Sequence, residues 1–266
     1  MKYTRAQALS FIEQSEYLRE RCRIEARTLL DESDAQDLLD NPQQATADIY
    51  DALVAALLGL IIPEAVAAAQ QHAVELGLAP VSNEEASGVA EDAIGSLEET
   101  EQEFASRLAD ADDRLRSDGQ SEETLLATVT SAAGRTALLA GVLGLLQGAA
   151  AGVVALVEQG ILDLAQGKTA ASDPTTLLRW HATGDGKSCQ GDLANSCEPR
   201  DGMEKSLADW TALGLPGAGN LICSIYSRSG LPQCRCDLGN ASLERTEPGV
   251  VDATDAIKAG RERASA

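Results

Sequence analysis

Between Thr136 and Val157 the chain reads TALLAGVLGLLQGAAAGVVALV, 22 residues without a charge. A helix of that length and character has two stable environments, the hydrocarbon of a bilayer or the dry centre of a helical bundle. Gly144, Gly148 and Gly152 stand four apart, the small-residue spacing that lets two helix backbones touch. The abundance of Ala and Gly, Gln147 near the middle, and ends without aromatic or basic anchors favour the bundle centre. The stretch is therefore read as a core helix, with membrane insertion as the alternative. Aromatic residues make up only 3% of the chain, so its core must be built from small side chains on closely approaching helices.

The flanking sequence is helical in pattern. From Thr4 to about Leu30, Phe11, Leu18, Cys22 and Leu29 recur at helical spacing, which reads Cys22 as a small core residue rather than a reactive thiol. Asn41-Pro42 breaks the chain. A second helix is expected from roughly Thr46, ended or kinked at Pro63 before EAVAAAQQHAVELG continues. A lone His72 in that stretch reads as a satisfied or exposed helix residue rather than a ligand. Ser82 and Glu85 form a capping box that opens a long helix to about Arg116, with Ile94, Leu97, Phe104, Leu108 and Leu115 on one stripe. That stripe faces either the core or a coiled-coil partner. Asp118-Gly119 is a turn, and Ser121 begins the next helix.

After Gly167 the character changes. Trp180, Trp210, four prolines and five of the six cysteines crowd into about sixty residues. This predicts a loop-rich module with one short helix in MEKSLADWTALG and short strands around Leu231 to Leu238. From Glu244 onward there is little to bury, which suggests a mobile or partner-bound tail. The expected fold class is thus mainly α. A helical body over residues 1–172 is followed by a small Cys-containing α+β module over 173–240 and a flexible tail over 241–266. The N-terminus carries charges at every turn and does not read as a secretion signal, which points to a reducing cytosol.

The ligand-type residues of the module are His181, Cys189, Cys197, Cys223, Cys234 and Cys236. Structural zinc needs four tetrahedral ligands, usually from two close pairs. Cys234-Arg-Cys236 could supply one pair, and Cys189 and Cys197 would have to meet through a loop. Spacing leaves three readings open: a metal site, disulfides, or buried inert thiols.

The strings RWHATGDGKSC, SCEPRDG, ADWTALGLPGAGNLICS and LPQCRCDL, in that order, resemble the end of the phage Mu F-like head morphogenesis family, minor capsid proteins of tailed phages. Trp180 matches that family's opening Trp, Asp185 its polar Asp, and Cys189 and Cys197 its Cys pair. Gly202 matches the Gly that follows, and Pro232, Cys234, Arg235 and Cys236 match the closing Pro-x-Cys-Arg-Cys. Here QGDLANS separates the first two Cys, which in the family stand two residues apart. Leu231 stands where many members carry His, so Cys223 would take over a ligand role. The resemblance implies a few-copy head protein in the virion, associated with the portal in the procapsid and possible scaffold or major capsid contacts. Its implied work is head assembly, DNA packaging or ejection, with structural zinc as a cofactor the Cys set could hold.

Other function classes fit less well. With 42 acidic against 21 basic residues the net charge is -21, which opposes nucleic-acid coating through counterion release. Cys189 near His181 is the only nucleophile–base pair close in sequence, and neither a nucleophile elbow nor a phosphate loop can be read, so no enzyme is expected. The alternatives are a membrane-active ejection protein using Thr136–Val157, or a zinc module unrelated to phage. Residues 173–240 hold 8 acids and 6 bases, whereas 17 acids and no Lys or Arg lie between Arg27 and Arg107. The acidity belongs to the helical body, which would be repelled by DNA and suited to a basic protein surface.

Overall fold

Thr4 starts the first helix, α1 (Arg5–Thr28), through a reciprocal capping box. The Gln7 N–H donates to Thr4 Oγ1 at 3.3 Å, and the Thr4 N–H donates to Gln7 Oε1 at 2.9 Å. The computed structural model describes residues 2–29, 41–97, 132–184, 192–216, 235–246 and 249–266. Within them the chain is mainly α, with a few short strands gathered in its C-terminal part.

Buried positions on α1 follow the helical period, Ala8, Ile12, Leu18, Cys22 and Ala26 among them. Cys22 is fully buried, and that burial pushes its thiol up to about 12, so it is a core residue without thiolate character. Helix α2 (Pro42–Ala56) begins earlier than the expected Thr46, because proline fits the first turn, where no N–H is needed. It runs through a π-helical turn, Leu57–Ile61, into α3 (Ile62–Glu75), with Pro63 in the first turn of α3. The Ser82–Glu85 box opens the next helix, α4 (83–97): the Ser82 N–H donates to Glu85 Oε2 at 2.8 Å. Ile94 and Leu97 face the core, while Phe104, Leu108 and Leu115 lie outside the described residues.

Helix α5 (Ala132–Ser172) carries the long uncharged stretch and packs against α1 and α3. From Leu146 to Ser172 it is long and apolar enough to cross a membrane, and two-thirds of an 18-residue apolar window within it is buried inside the protein. Gln147 finds its partner in the Arg23 carbonyl at 3.2 Å. The close approach between helices occurs not at Gly144, which faces open space, but at Gly160, where a Cβ would lie 2.5 Å from Val89 Cγ1 on α4.

The C-terminal part holds β2 (Leu178–His181), β3 (Thr183–Gly184), a 3₁₀ turn (Glu198–Arg200), β4 (Glu204–Lys205), α6 (Leu207–Leu213) and β5 (Asp237–Asn240). Strands β4, β2 and β5 form one antiparallel sheet in that order. The sheet is tied to the helices by the Asn240 N–H, which donates to the Leu76 carbonyl at 2.9 Å. One apolar core continues from the helices into Leu178, Trp180, Trp210 and Leu238, so the module closes no separate core of its own.

Composition suggested a tail with little to bury. Instead β6 (Glu244–Arg245) pairs with β1 (Lys2–Tyr3), β7 (Val251–Asp252) pairs with β3, and α7 (Thr254–Ala264) packs along α1. Its partner is the same chain. The fit comes from Gly260, where a Cβ would stand 2.4 Å from the Glu13 carbonyl oxygen, and from a small apolar cluster of Ile12, Ala253, Ala256 and Ile257.

Candidate functional site

The two ends of the Trp-to-Cys-Arg-Cys stretch lie side by side. Strand β2 pairs with β5 in a register that sets Trp180 against Leu238 and His181 against Asp237. Trp180 and Trp210 are both fully buried, their rings 5.1 Å apart and inclined at 50°. The Trp210 indole N–H donates to the Leu178 carbonyl at 2.8 Å, satisfying its polar edge. Gly202 holds a positive φ of 75° in the turn between the 3₁₀ segment and β4, and its N–H donates to the Trp180 carbonyl at 2.9 Å. That left-handed turn explains why glycine stands there.

Arg200 was not singled out in the sequence, yet it is fully buried and binds this unit together. Its guanidinium donates to the carbonyls of Leu193, Ala194, Leu213 and Gly214 at 2.7–3.0 Å. Two of these carbonyls end α6, where helix geometry leaves acceptors without donors. The same group lies 4.9 Å from the Trp180 ring centroid, a cation–π contact.

Of the candidate metal ligands, Cys197 and Cys236 are described, and both are buried. The Thr183 N–H donates to Cys236 Sγ at 3.2 Å, and the Cys236 S–H in turn donates to the Thr183 carbonyl at 3.3 Å. An amide N–H aimed at sulfur is a bond that a zinc-bound thiolate accepts, whereas donation to a carbonyl is that of a neutral S–H, so the contacts of Cys236 are those of a buried thiol as much as of a metal ligand. Cys189, Cys223, Cys234, Asp185 and Pro232 lie outside the described residues. Among the described residues no three ligand-type side chains gather into a metal-sized group.

Arg235 leads out of the module into a buried charge network. It pairs with Glu16 of α1, which is only 1% exposed. Glu16 also meets Arg19 at 3.6 Å and Arg261 of α7 at 3.1 Å. Burial alone would raise the Glu16 carboxyl, but Arg235, Arg19 and Arg261 outweigh it and hold the group at about 2. Arg19 reaches on to Glu158 of α5 at 2.9 Å, and Glu158 accepts from the Ser15 hydroxyl at 2.8 Å. One carboxylate of α1 therefore joins the closing motif, α7 and, through Arg19, the core helix.

Both histidines of the chain flank the Tyr3 ring beside this network. His72 Nε2 lies 3.1 Å from Asp237 Oδ2, the residue directly after Cys236, and Phe11 stacks on its ring at 3.8 Å. Burial opposes charge on His72, yet Asp237 and then Glu75 prevail and lift it to about 9, so it is cationic at neutral pH. His181 lies 4.8 Å from the Tyr3 ring, and neither of its ring nitrogens has a hydrogen-bond partner among the described residues. Burial, with Arg245, Arg179 and His72 adding to it, drives His181 down to about 3, so it is neutral. The His72 expectation of a satisfied helix residue describes what is found.

These groups form a buried latch in which Trp180, the Arg235–Cys236–Asp237 run and the first helix hold one another. The chain is a mainly helical protein with a small α+β module. No family model, no curated protein and no solved structure matches it. Sequence reading missed Arg200, Glu16 and Asp237, because isolated charges in an acidic chain look like solvated surface. The one available signal was the run Cys-Arg-Cys-Asp, four polarizable or charged residues in succession where the first strand residues of a sheet were expected.

Proposed function

We propose that this protein is a minor capsid, or head morphogenesis, protein of a tailed phage, bound to the portal in the procapsid and present in the virion. In this reading it assists head assembly, DNA packaging or ejection and performs no catalysis. The observation that supports it best is the pairing of Trp180 with Leu238 and His181 with Asp237. Trp180 and His181 of the first string that carries the Mu F-like resemblance thus lie beside Asp237 and Leu238 of the last, with Gly202 hydrogen-bonded to Trp180 and with Trp210, Arg200 and Arg235 holding the unit together.

The acidic helical body suits a basic protein surface and is unsuited to packaged DNA. Structural zinc would be held by four of Cys189, Cys197, Cys223, Cys234 and Cys236, cross-linking the loops of the module. Mass spectrometry of gradient-purified procapsids tests the assignment. The protein is expected there in a few copies per portal ring, and its absence from procapsids would refute it. Burial of two-thirds of the apolar window of α5 favours this reading over a membrane-active ejection protein.

A further inference from the structure

The π-helical turn between α2 and α3 adds a residue to the helical path and changes which side chains face inward. Leu53, Leu57 and Ile61 keep to the core at 0–3% exposure, while Leu58 is turned outward and is 48% exposed. Opposite it, α4 presents Ala90, Glu91 and Ile94. Between the two walls runs an open cleft of about 430 Å³, lined chiefly by Leu58, Ile62, Pro63, Val66, Ala90 and Ile94. The segment that builds both walls lies inside the interval from Arg27 to Arg107, which holds 17 acids and no Lys or Arg. Glu85 is answered by Lys168 at 2.8 Å, but Glu91 lines the cleft and Glu84 and Asp92 stand exposed on the same helix, and no Lys or Arg lines the cleft among the described residues.

We propose that this cleft docks an amphipathic helix of a partner protein, its apolar stripe in the cleft and its flanks carrying Lys or Arg. The apolar lining supplies burial for side chains at i, i+3 or i+4, and i+7. Glu91 on the cleft wall, with exposed Glu84 and Asp92 on the same helix, selects basic flanks and repels an acidic helix. The inference rests on the assembly reading above, for which it names the contact surface.

The test uses the full-length protein and two labelled helical peptides of about 18 residues. One has Leu on a single face and Lys elsewhere; the other has Glu in place of every Lys. Anisotropy at roughly 0.15 M salt, where surface charges are screened, should show binding of the Lys peptide and none of the Glu peptide. Leu58→Gln should weaken binding by roughly ten-fold with an unchanged circular dichroism spectrum, and Glu91→Lys by several-fold with a shallower salt dependence. Binding that ignores Leu58→Gln is unspecific charge attraction and overturns the assignment. No binding at all also overturns it, as does a concentration-dependent dimer of the chain that Leu58→Gln dissolves. Portal association that survives Leu58→Gln leaves the assembly reading standing and removes the cleft from it. Peptide binding without portal association does the reverse.

Discussion

Arg235 of the Cys-Arg-Cys run donates to Glu16, 219 residues earlier in the chain, and both side chains are largely withdrawn from water. The pair lies where three elements meet, since Arg261 of α7 and Arg19 of α1 share the same carboxylate. Removing one partner leaves buried charge without its counter-ion, which typically costs about 3–5 kcal/mol. Glu16→Gln should lower the unfolding free energy, measured by urea, by an amount in that range, and Arg235→Met by less, because Arg19 and Arg261 still face the carboxylate. The double variant should lose less than the sum of the two, and simple additivity would show that the pair is not coupled.

Acid should act on the same group in a defined window. The Glu16 carboxyl sits at about 2 in the folded chain against an ordinary value of 4.5. Its stabilising contribution is therefore complete above pH 4.5 and is lost as pH falls toward 2. Glu16→Gln should flatten the stability profile in that interval, measured by urea unfolding at fixed pH.

The two histidines act in opposite senses. His72 is raised to about 9 from 6.5, so its contribution is complete below pH 6.5 and disappears as pH rises through 9. His181 is lowered to about 3, so the folded chain loses stability as pH falls from 6.5 toward 3, where the unfolded chain takes up a proton and the folded chain does not. His72→Gln should remove the alkaline slope and leave the acid one. Histidine ring NMR would show one residue titrating near pH 9 and the other neutral at pH 6.

Arg200 supports four carbonyls at once, which lysine cannot do with one ammonium group. Arg200→Lys should therefore destabilise by about 2–4 kcal/mol. Both tryptophans of the chain lie fully buried in this unit, so intrinsic fluorescence reports its integrity directly. A red shift that precedes loss of helical ellipticity is expected in the variant, and coincident transitions would place Arg200 in the global fold instead.

Zinc is expected at one ion per chain by elemental analysis and should be lost in Cys234→Ser with Cys236→Ser. A metal content near zero in protein prepared without chelator would remove zinc from the account.

Much of the helical architecture was legible because its signals are local. The Ser82–Glu85 box, the period of Leu18 and Cys22, and the charge-free run ending at Val157 each depend on residues a few positions apart. What escaped depends on distant meetings. The α7 tail has only a short apolar face, Ala256 and Ile257, and its place is set by that face against Ile12, by Gly260 fitting against Glu13 and by Arg261 reaching Glu16. Nothing in residues 254–264 alone announces that. The site shows the same division: Trp180, Gly202 and Arg235 could be named from their motif, whereas Glu16 and Asp237 matter only through partners brought close by folding. The start of α2 at Pro42 was missed because a proline that stops one helix also begins another well.

Portal association is the centre of this account, and co-purification of the full-length chain with its cognate portal protein tests it most directly. The account predicts a stable complex at low salt that weakens as ionic strength rises, because an acidic body meets a basic surface. A portal that passes through without retaining the chain at any salt concentration would contradict it.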